Sequence, residues 1–176
     1  KLKHGELTPL SKQQIIDCDE NNRGCHGGAI ELAVWKMLRM GGIQSEEDYP
    51  YTGEEGTCRF DRNRVVVQAR SYSYVSQDEE EIKEALFRTG PLYANVNSST
   101  LQFYWWGTHH PWSMFCDPAD LNHAVLIVGY GRRRGMNFWM IKNSWGDSWG
   151  KSGYFRLYRG DGTCGINRGV LTADIY

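Results

Sequence analysis

The sequence has no excess of either charge. Its 176 residues include 20 Lys and Arg against 21 Asp and Glu, and the formal net charge is −1. Domains that bind nucleic acid carry clustered basic residues, and peripheral membrane segments carry polybasic runs. The one basic run, at residues 132–134, lies beside glycines and is predicted to be a solvated loop tip. We therefore expect neither nucleic acid nor a membrane as a partner.

Long apolar runs are missing as well. No uninterrupted apolar stretch approaches the roughly 18 residues that a membrane-spanning helix needs, so we expect a soluble chain. No secretory signal opens the chain either. Residues 1–5 are typical of the end of one element that runs into a loop, and we expect a further segment before them.

Hydrophobic patterning predicts a helical half followed by a β half, an α+β fold. Ser11 and Gln14 form the pattern of a capping box, which predicts a short helix ending near Asp19. Apolar residues at helical spacing predict a buried amphipathic helix over residues 29–40, and a more charged helix follows at 78–88. The β-rich runs, typical of an antiparallel sheet or small barrel, lie at residues 65–75, 92–96, 124–129, 137–142 and 153–158.

Five cysteines are an odd number, so one thiol is free or has a partner elsewhere. The tripeptide Asn97-Ser98-Ser99 is a glycosylation sequon, which weakly supports a secretory route.

A histidine and a side-chain amide stand at the ends of two predicted strands. His123 comes directly before one apolar strand, and Asn143 ends the next strand along the chain. If these strands are neighbours, both side chains project at one end of the sheet. An amide can orient a histidine that must become an imidazolium beside a thiolate without adding charge of its own. Trp145 can shield that hydrogen bond from water. Taken alone, a histidine in this position is more often a structural residue.

The sequence resembles the papain family of cysteine proteases over essentially its whole length. Five motifs in the family's order carry the resemblance: LSKQQIIDC at 10–18, GCHGG at 24–28, DYPY at 48–51, NHAV with VGYG at 122–131, and KNSWGDSWGKSGY at 142–154. The ending, with GYFRL at 153–157 and TCGI at 163–166, is similar to the cathepsin F and cathepsin W branch.

The resemblance implies the papain-like two-domain fold, with a helical left domain and an antiparallel β-barrel right domain beside a cleft. Residues 1–72 are then the remainder of the left domain, and residues 73–176 form the right domain. It implies peptide-bond hydrolysis through an acyl-enzyme, with His123 as general base and Asn143 as the residue that orients it. No cofactor and no metal are expected.

The resemblance also implies how a polypeptide substrate is held. Gly27 and Gly28 match the backbone stretch that pairs with an extended substrate. Trp145 matches the aromatic residue beside the asparagine. Trp149 matches a further aromatic of the cleft, although a packing role suits it equally.

The specificity pocket is less readable from the sequence. Gly169 matches the floor of the pocket for the second residue before the scissile bond, with Ala29, Ile30 and Leu121 as walls. Such an apolar pocket accepts bulky hydrophobic side chains and offers no acid for an arginine. Asn122 stands where the family often has an aspartate before the histidine, and we expect this difference to have only a small effect on the site. Because no occluding insertion precedes His123, endopeptidase action is favoured.

The sequence departs from the family in one large respect. The motif with the nucleophilic cysteine has no counterpart here and is expected before Lys1. By the family pattern Cys18 pairs with Cys58 and Cys116 with Cys164, which leaves Cys25 to a partner in the missing segment. Cys25 is a poor alternative nucleophile, because in the family fold it faces that partner rather than His123.

These features leave rival functions open. The first is a protease completed by the missing segment, acting on polypeptides, open to cystatin-type inhibitors, and lysosomal or extracellular. The second is a catalytically inactive binding or regulatory protein of the same fold. A structural domain stapled by disulfides is a third, but it does not explain the order of the motifs. The isolated chain is expected to be inactive and to expose an apolar groove along residues 29–40, where the family's central helix packs.

Overall fold

The computed structural model describes Gly5 and residues 7–175, so the predicted loop at residues 1–4 lies outside the described part. The chain divides into two compact units. The first comprises the described residues up to Tyr72 and those from Ala173 onward, and the second runs from Ser73 to Thr172. The assignment of residues 1–72 and 73–176 to a left and a right domain stays a prediction.

The first unit contains two helices and a small sheet. Helix α1 spans Lys12–Cys18 and α2 spans Ile30–Met40. Strand β1, Ile43–Gln44, pairs antiparallel with β2, Val65–Val67. Two short 3-10 helices occupy Gly24–His26 and Arg62–Arg64.

Ser11 caps α1, but the predicted capping box is only half formed. The Ser11 Oγ accepts a hydrogen bond from the Gln14 N–H at 2.9 Å. The Gln14 side chain does not return the bond; it donates to the Gly42 carbonyl at 3.0 Å and accepts from the Gln44 N–H at 2.8 Å. A buried amide needs partners on both of its polar atoms, and the neighbouring backbone supplies them. The reciprocal box was therefore a wrong prediction.

Helix α2 ends as predicted at Gly41, which adopts φ 92°, but it is not buried along its whole apolar face. Ala33 and Val34 are buried, whereas Leu32 and Trp35 are 39% and 43% exposed. The prediction of a buried apolar face is wrong for Leu32, whereas Trp35 does not belong to that predicted face. The Arg39 guanidinium lies 4.9 Å from the Trp35 ring centroid and covers part of that ring.

The second unit contains one helix and most of a six-stranded sheet. Helix α3 spans Glu79–Thr89, with Asp78 as its N-cap. The order of strands in the sheet is β3-β8-β4-β5-β6-β7. Their bounds are Ala69–Tyr74 for β3, Leu92–Val96 for β4, His123–Arg133 for β5, Met136–Lys142 for β6, Tyr154–Tyr158 for β7 and Leu171–Ile175 for β8.

Each predicted strand run is found, with two differences, while β1 and β8 fall outside the predicted runs. The run at 65–75 forms two strands, β2 and β3, because Gln68 interrupts it. Strand β5 continues to Arg133 and turns into β6 at Arg134 and Gly135, so the basic run lies partly on a strand and partly at an exposed hairpin tip. Inside the unit, fully buried side chains from the sheet and from α3 form one apolar core, among them Ile82, Leu92, Ile127, Trp139, Ile141, Phe155 and Leu157.

The sequon is not accessible in the fold. The Asn97 side chain is only 3% exposed. Its Nδ2 donates to the Asp117 carbonyl at 3.1 Å, and its Oδ1 accepts from the Ser99 N–H at 2.9 Å. A glycan on this buried nitrogen has no room in the fold, so the sequon gives no support to a secretory route.

Asp17 links three segments of the first unit. Its carboxylate accepts hydrogen bonds from the Gln13 amide at 2.7 Å, the Tyr49 hydroxyl at 2.8 Å and the Gly56 N–H at 2.8 Å. Partial burial raises the pKa of Asp17, but the hydrogen bonds from Tyr49, Gln13 and Gly56 outweigh it, and the net pKa is lowered. The ionised carboxylate therefore stabilises the fold.

This shift predicts a loss of stability in acid. The contribution of Asp17 is fully present above its unfolded pKa of about 4 and is lost as the pH falls through its lowered folded pKa. In the complete protein, Asp17→Asn should lower the free energy of unfolding at pH 7 by about 1–2 kcal/mol. Its stability should also fall less steeply than that of the parent below pH 5, as measured by urea unfolding. Glu47→Gln, an exposed change in the same unit, is the control, and equal slopes for D17N and the parent would refute the assignment.

Candidate active site

The register of two neighbouring strands places His123 beside Asn143. Strands β5 and β6 are antiparallel, with Leu126 opposite Lys142 and Ile127 opposite Ile141. Asn143 follows the last residue of β6, so the same register sets it across from Val125, two positions from His123. Alternate residues of a strand share a face. The two polar side chains therefore continue the face that carries the buried side chains of Val125, Ile127, Trp139 and Ile141.

His123 and Asn143 are hydrogen bonded. The His123 Nε2 lies 2.7 Å from the Asn143 Oδ1. The same Oδ1 accepts from the Ser144 N–H at 2.9 Å, which identifies it as the oxygen of the amide. Because an amide oxygen only accepts, the neutral imidazole carries its proton on Nε2 and leaves Nδ1 as the basic nitrogen. Asn143 is 7% exposed, while His123 is half-buried.

A row of aromatic rings packs against this pair. The Trp145 ring lies 5.0 Å from the His123 ring, between centroids, at an angle of 36°. The Trp149 ring meets Trp145 at 5.0 Å and 80°. Trp149 in turn packs on Tyr104 at 5.7 Å and on the buried Phe155 at 5.6 Å. The row anchors Trp145 to the core and lowers the water content around the His123–Asn143 bond, which strengthens it.

The other predicted site residues of the second unit are Leu121, Asn122 and Gly169. Gly169 has φ 69°, and the space around it is open. A Cβ on Gly165 would collide with the side chain of Leu121, so these two residues are in close contact. The Asn122 Oδ1 accepts from both the N–H and the hydroxyl of Ser98 at 2.9 Å. Asn122 thus holds a loop, a role that the sequence did not reveal.

In the first unit, Gly27 and Gly28 lie on exposed backbone ahead of α2. Gly27 has φ 94° with open space around it. The Asn22 side chain holds Ala29, the residue after Gly28, through two hydrogen bonds. Its Oδ1 accepts from the Ala29 N–H at 2.8 Å, and its Nδ2 donates to the Ala29 carbonyl at 3.1 Å. A Cβ on Gly28 would collide with Asn22. Asn22 therefore positions the glycine segment and Ile30, the first residue of α2, although sequence reasoning missed it.

All five cysteines lie in the part of the chain that the structure describes. Disulfides join Cys18 to Cys58 and Cys116 to Cys164, the pairs that the resemblance implies. Cys25 is free and exposed, and its N–H donates to the Glu55 carboxylate at 2.9 Å. A partner for Cys25 outside this chain stays a prediction.

Within residues 5 and 7–175, no group of three or more His, Cys, Asp or Glu side chains is arranged to hold a metal ion. Over the same residues, no helix is both long and apolar enough to cross a membrane.

A histidine held by an asparagine at the end of an antiparallel sheet is an arrangement suited to cysteine-type hydrolysis. The model of the papain family of cysteine proteases matches residues 1–173. The chain belongs to this family.

Known relatives agree with this placement. The chain is 41% identical over 167 residues to the viral cathepsin of Adoxophyes honmai nucleopolyhedrovirus, covering 94% of this chain and 48% of that protein. It is 40% identical over 166 residues to cathepsin F of Mus musculus, covering 94% and 36%. The likeness to cathepsin F predicted from the ending is confirmed. The chain spans about half or less of the length of these curated relatives.

Solved structures show the same fold. A digestive procathepsin L 3 from the larval midgut of Tenebrio molitor superposes with a TM-score of 0.92 at 38% identity, covering 98% of this chain and 58% of that one. The papain-like α+β fold predicted from the sequence is therefore confirmed.

The hydrogen bond of His123 gives a direct spectroscopic prediction. In the complete protein, the Nε2 proton should give a slowly exchanging downfield NMR signal, since Asn143 accepts it and Trp145 screens it from water. Asn143→Ala should abolish the signal, and Trp145→Ala should speed its exchange at least about tenfold. Trp112→Ala, which removes an exposed indole elsewhere in the unit, is the control. A signal unchanged by N143A would show that Asn143 is not its acceptor.

Proposed function

We propose that the protein is a cysteine endopeptidase in which His123 is the general base, Asn143 orients it, and the nucleophilic cysteine lies outside these 176 residues. The observation that carries the proposal is the 2.7 Å bond from Nε2 to the Asn143 Oδ1, which leaves Nδ1 free to take a proton. No hydrogen bond from the described part of the chain occupies that nitrogen.

The residues support a two-step hydrolysis. Nδ1 takes the thiol proton, and the thiolate attacks the scissile carbonyl. The imidazolium then returns a proton to the leaving amine, which departs and leaves an acyl-enzyme. In the second step His123 removes a proton from water, which attacks the thioester and releases the acid and the thiol. Throughout, Asn143 keeps the ring plane fixed while adding no charge to the thiolate–imidazolium pair.

The substrates we propose are polypeptides bound in an extended form. Exposed backbone at Gly27 and Gly28 suits main-chain pairing, since neither residue places a side chain in the way. Ala29, Ile30 and Leu121 are proposed walls of an apolar pocket with Gly169 at its floor, while Asn122 and Trp145 flank His123. That residues of both units meet in one pocket stays a prediction. We propose a lysosomal or extracellular location, with cystatin-type proteins as inhibitors.

A catalytically inactive protein of the same fold is the alternative. Its cleft would bind peptide without turnover, and such a protein gains nothing from a shielded His123–Asn143 bond. The mechanism and its rival differ in whether a thiol near His123 reacts.

The test is covalent labelling of the complete natural protein with a thiol-directed epoxide peptide inhibitor. We expect one equivalent of label on a cysteine outside residues 1–176, with the labelled segment joined to this chain through Cys25 before reduction. Intact and peptide mass spectrometry measures both. A chain with Cys25 unpaired and no label on any cysteine supports the inactive alternative.

The two site residues should differ in their effect on turnover. His123→Ala removes the base and should lower kcat/KM for a peptide substrate by about a hundredfold or more. Asn143→Ala removes a charge-assisted hydrogen bond of about 1.5–3 kcal/mol, equivalent to about ten- to a hundredfold. His110→Ala is the matched control and should keep full activity, since this ring pairs with Asp161 on another part of the unit. Equal activity of H123A and H110A would exclude the assignment.

Gly169 should control specificity. Gly169→Glu places a carboxylate in open space, at about 1 kcal/mol of backbone strain because φ is 69°. The variant should cleave peptides with Arg two residues before the scissile bond at least about tenfold better than the parent does. Gly169→Gln separates charge from size. If G169E keeps its activity on apolar substrates but cleaves the Arg peptides no better than the parent does, Gly169 does not line the pocket.

A further inference from the structure

A second concave site lies in the second unit, apart from the His123–Asn143 pair. It is a cavity of about 230 Å³. Three successive aromatic residues, Tyr104, Trp105 and Trp106, form part of its wall, and three basic residues, Arg133, Lys151 and Arg156, are among the others that line it. We call this the aromatic–basic cavity.

The positive charge in this cavity is not neutralised by the protein. No Asp or Glu lines the cavity. Among the ion pairs that the described residues form, none involves Arg133, Lys151 or Arg156. Three like charges around one concave surface repel each other unless an anion joins them. The charge pattern therefore favours an anionic occupant.

Two of the three aromatic side chains are unusually open to solvent. Trp105 is 84% exposed and Trp106 is 71% exposed, and the segment from Phe103 to Cys116 carries no Asp, Glu, Lys or Arg. Exposed indoles of this kind mark interaction sites, because a large apolar ring gains most when a partner covers it. The occupant should therefore present an apolar group beside its negative charge.

The cavity is linked to the candidate active site by packing. Tyr104 lines the cavity and packs on Trp149, and Trp149 packs on Trp145, whose other neighbour is His123. The cavity thus lies two rings beyond the indole that covers His123, within the same unit.

We propose that the aromatic–basic cavity binds an acidic segment of a polypeptide that carries an apolar residue beside its carboxylates. A volume of about 230 Å³ accepts one or two side chains. With a net charge of −1, the chain offers no extended positive field of the kind that attracts a long polyanion or an anionic membrane. This proposal rests on the proposed function in one respect, which is that the acidic segment belongs to a substrate. Binding of the segment to the cavity does not require turnover.

The test uses the complete protein and a fluorescein-labelled peptide containing Glu-Phe-Glu, with its Gln-Phe-Gln counterpart as the neutral probe. Fluorescence anisotropy should show at least about tenfold tighter binding of the acidic peptide at low salt, and the difference should shrink at 0.5 M NaCl. The double variant R133Q/K151Q should weaken acidic-peptide binding about tenfold. The control variant R132Q/R134Q also removes two positive charges, from hairpin residues beside Arg133 that lie outside the cavity. It should change the affinity for the acidic peptide less than about twofold.

Three results would overturn the proposal. The first is equal binding of the acidic and the neutral peptide, and the second is equal binding of the acidic peptide by R133Q/K151Q and the parent. The third is that binding of a sulfated oligosaccharide or an anionic vesicle depends on Arg133 and Lys151 while binding of the acidic peptide does not. Trp106→Ala, a change at an exposed side chain, provides a second check and should weaken binding of Glu-Phe-Glu more than of Glu-Gly-Glu.

A short neutral substrate separates the two proposals. R133Q/K151Q should cleave it as the parent does, because neither residue contacts His123. If the parent fails to cleave it yet binds the acidic peptide through the cavity, the proposed function fails and the cavity assignment stands. The reverse result removes the cavity alone.

Discussion

The antiparallel pairing of β5 with β6 is the constraint on which the candidate site depends. The pairing carries Val125, Ile127, Trp139 and Ile141 into the core, and His123 and Asn143 continue the same two rows of side chains at the sheet's end. A slip of one residue would turn each row to the opposite face, at the cost of burying the wrong side chains. The apolar core therefore enforces the 2.7 Å contact between the two polar residues.

A buried carboxylate strengthens this arrangement. Glu79, the first residue of α3, accepts from the Trp139 indole at 2.6 Å and from the backbone N–H groups of Gly160 and Gly162 at 2.9 and 2.8 Å. Three donors and the helix N-terminus offset the cost of burying its charge. Because Trp139 belongs to the row that ends in Asn143, Glu79 ties helix, sheet and loop into one support for the site.

The sequence predicted the helices, most of the strands and the paired residues, but not β1, β8 or the contacts that depend on tertiary packing. Strand ends and motif order were enough to bring His123 and Asn143 together. The register of β5 shifts at Val128, which is an extra residue on this strand. The pattern of apolar residues along the sequence does not predict this shift. The predictions for Gln14 and Asn97 failed for the same reason. Each came from a short local motif, whereas a buried amide hydrogen bonds to whichever backbone groups the fold brings near.

Trp149 shows why packing and function need not be alternatives. Its ring contacts Trp145 on one side and the buried Phe155 and Tyr104 on the others, so the core fixes the indole that covers His123. A loose Trp145 would admit water to the Nε2 hydrogen bond and weaken the orientation of the base. The same ring also sets the position of Tyr104, one wall of the aromatic–basic cavity. One packed side chain therefore positions groups at both sites, and any substitution at Trp149 should disturb them together.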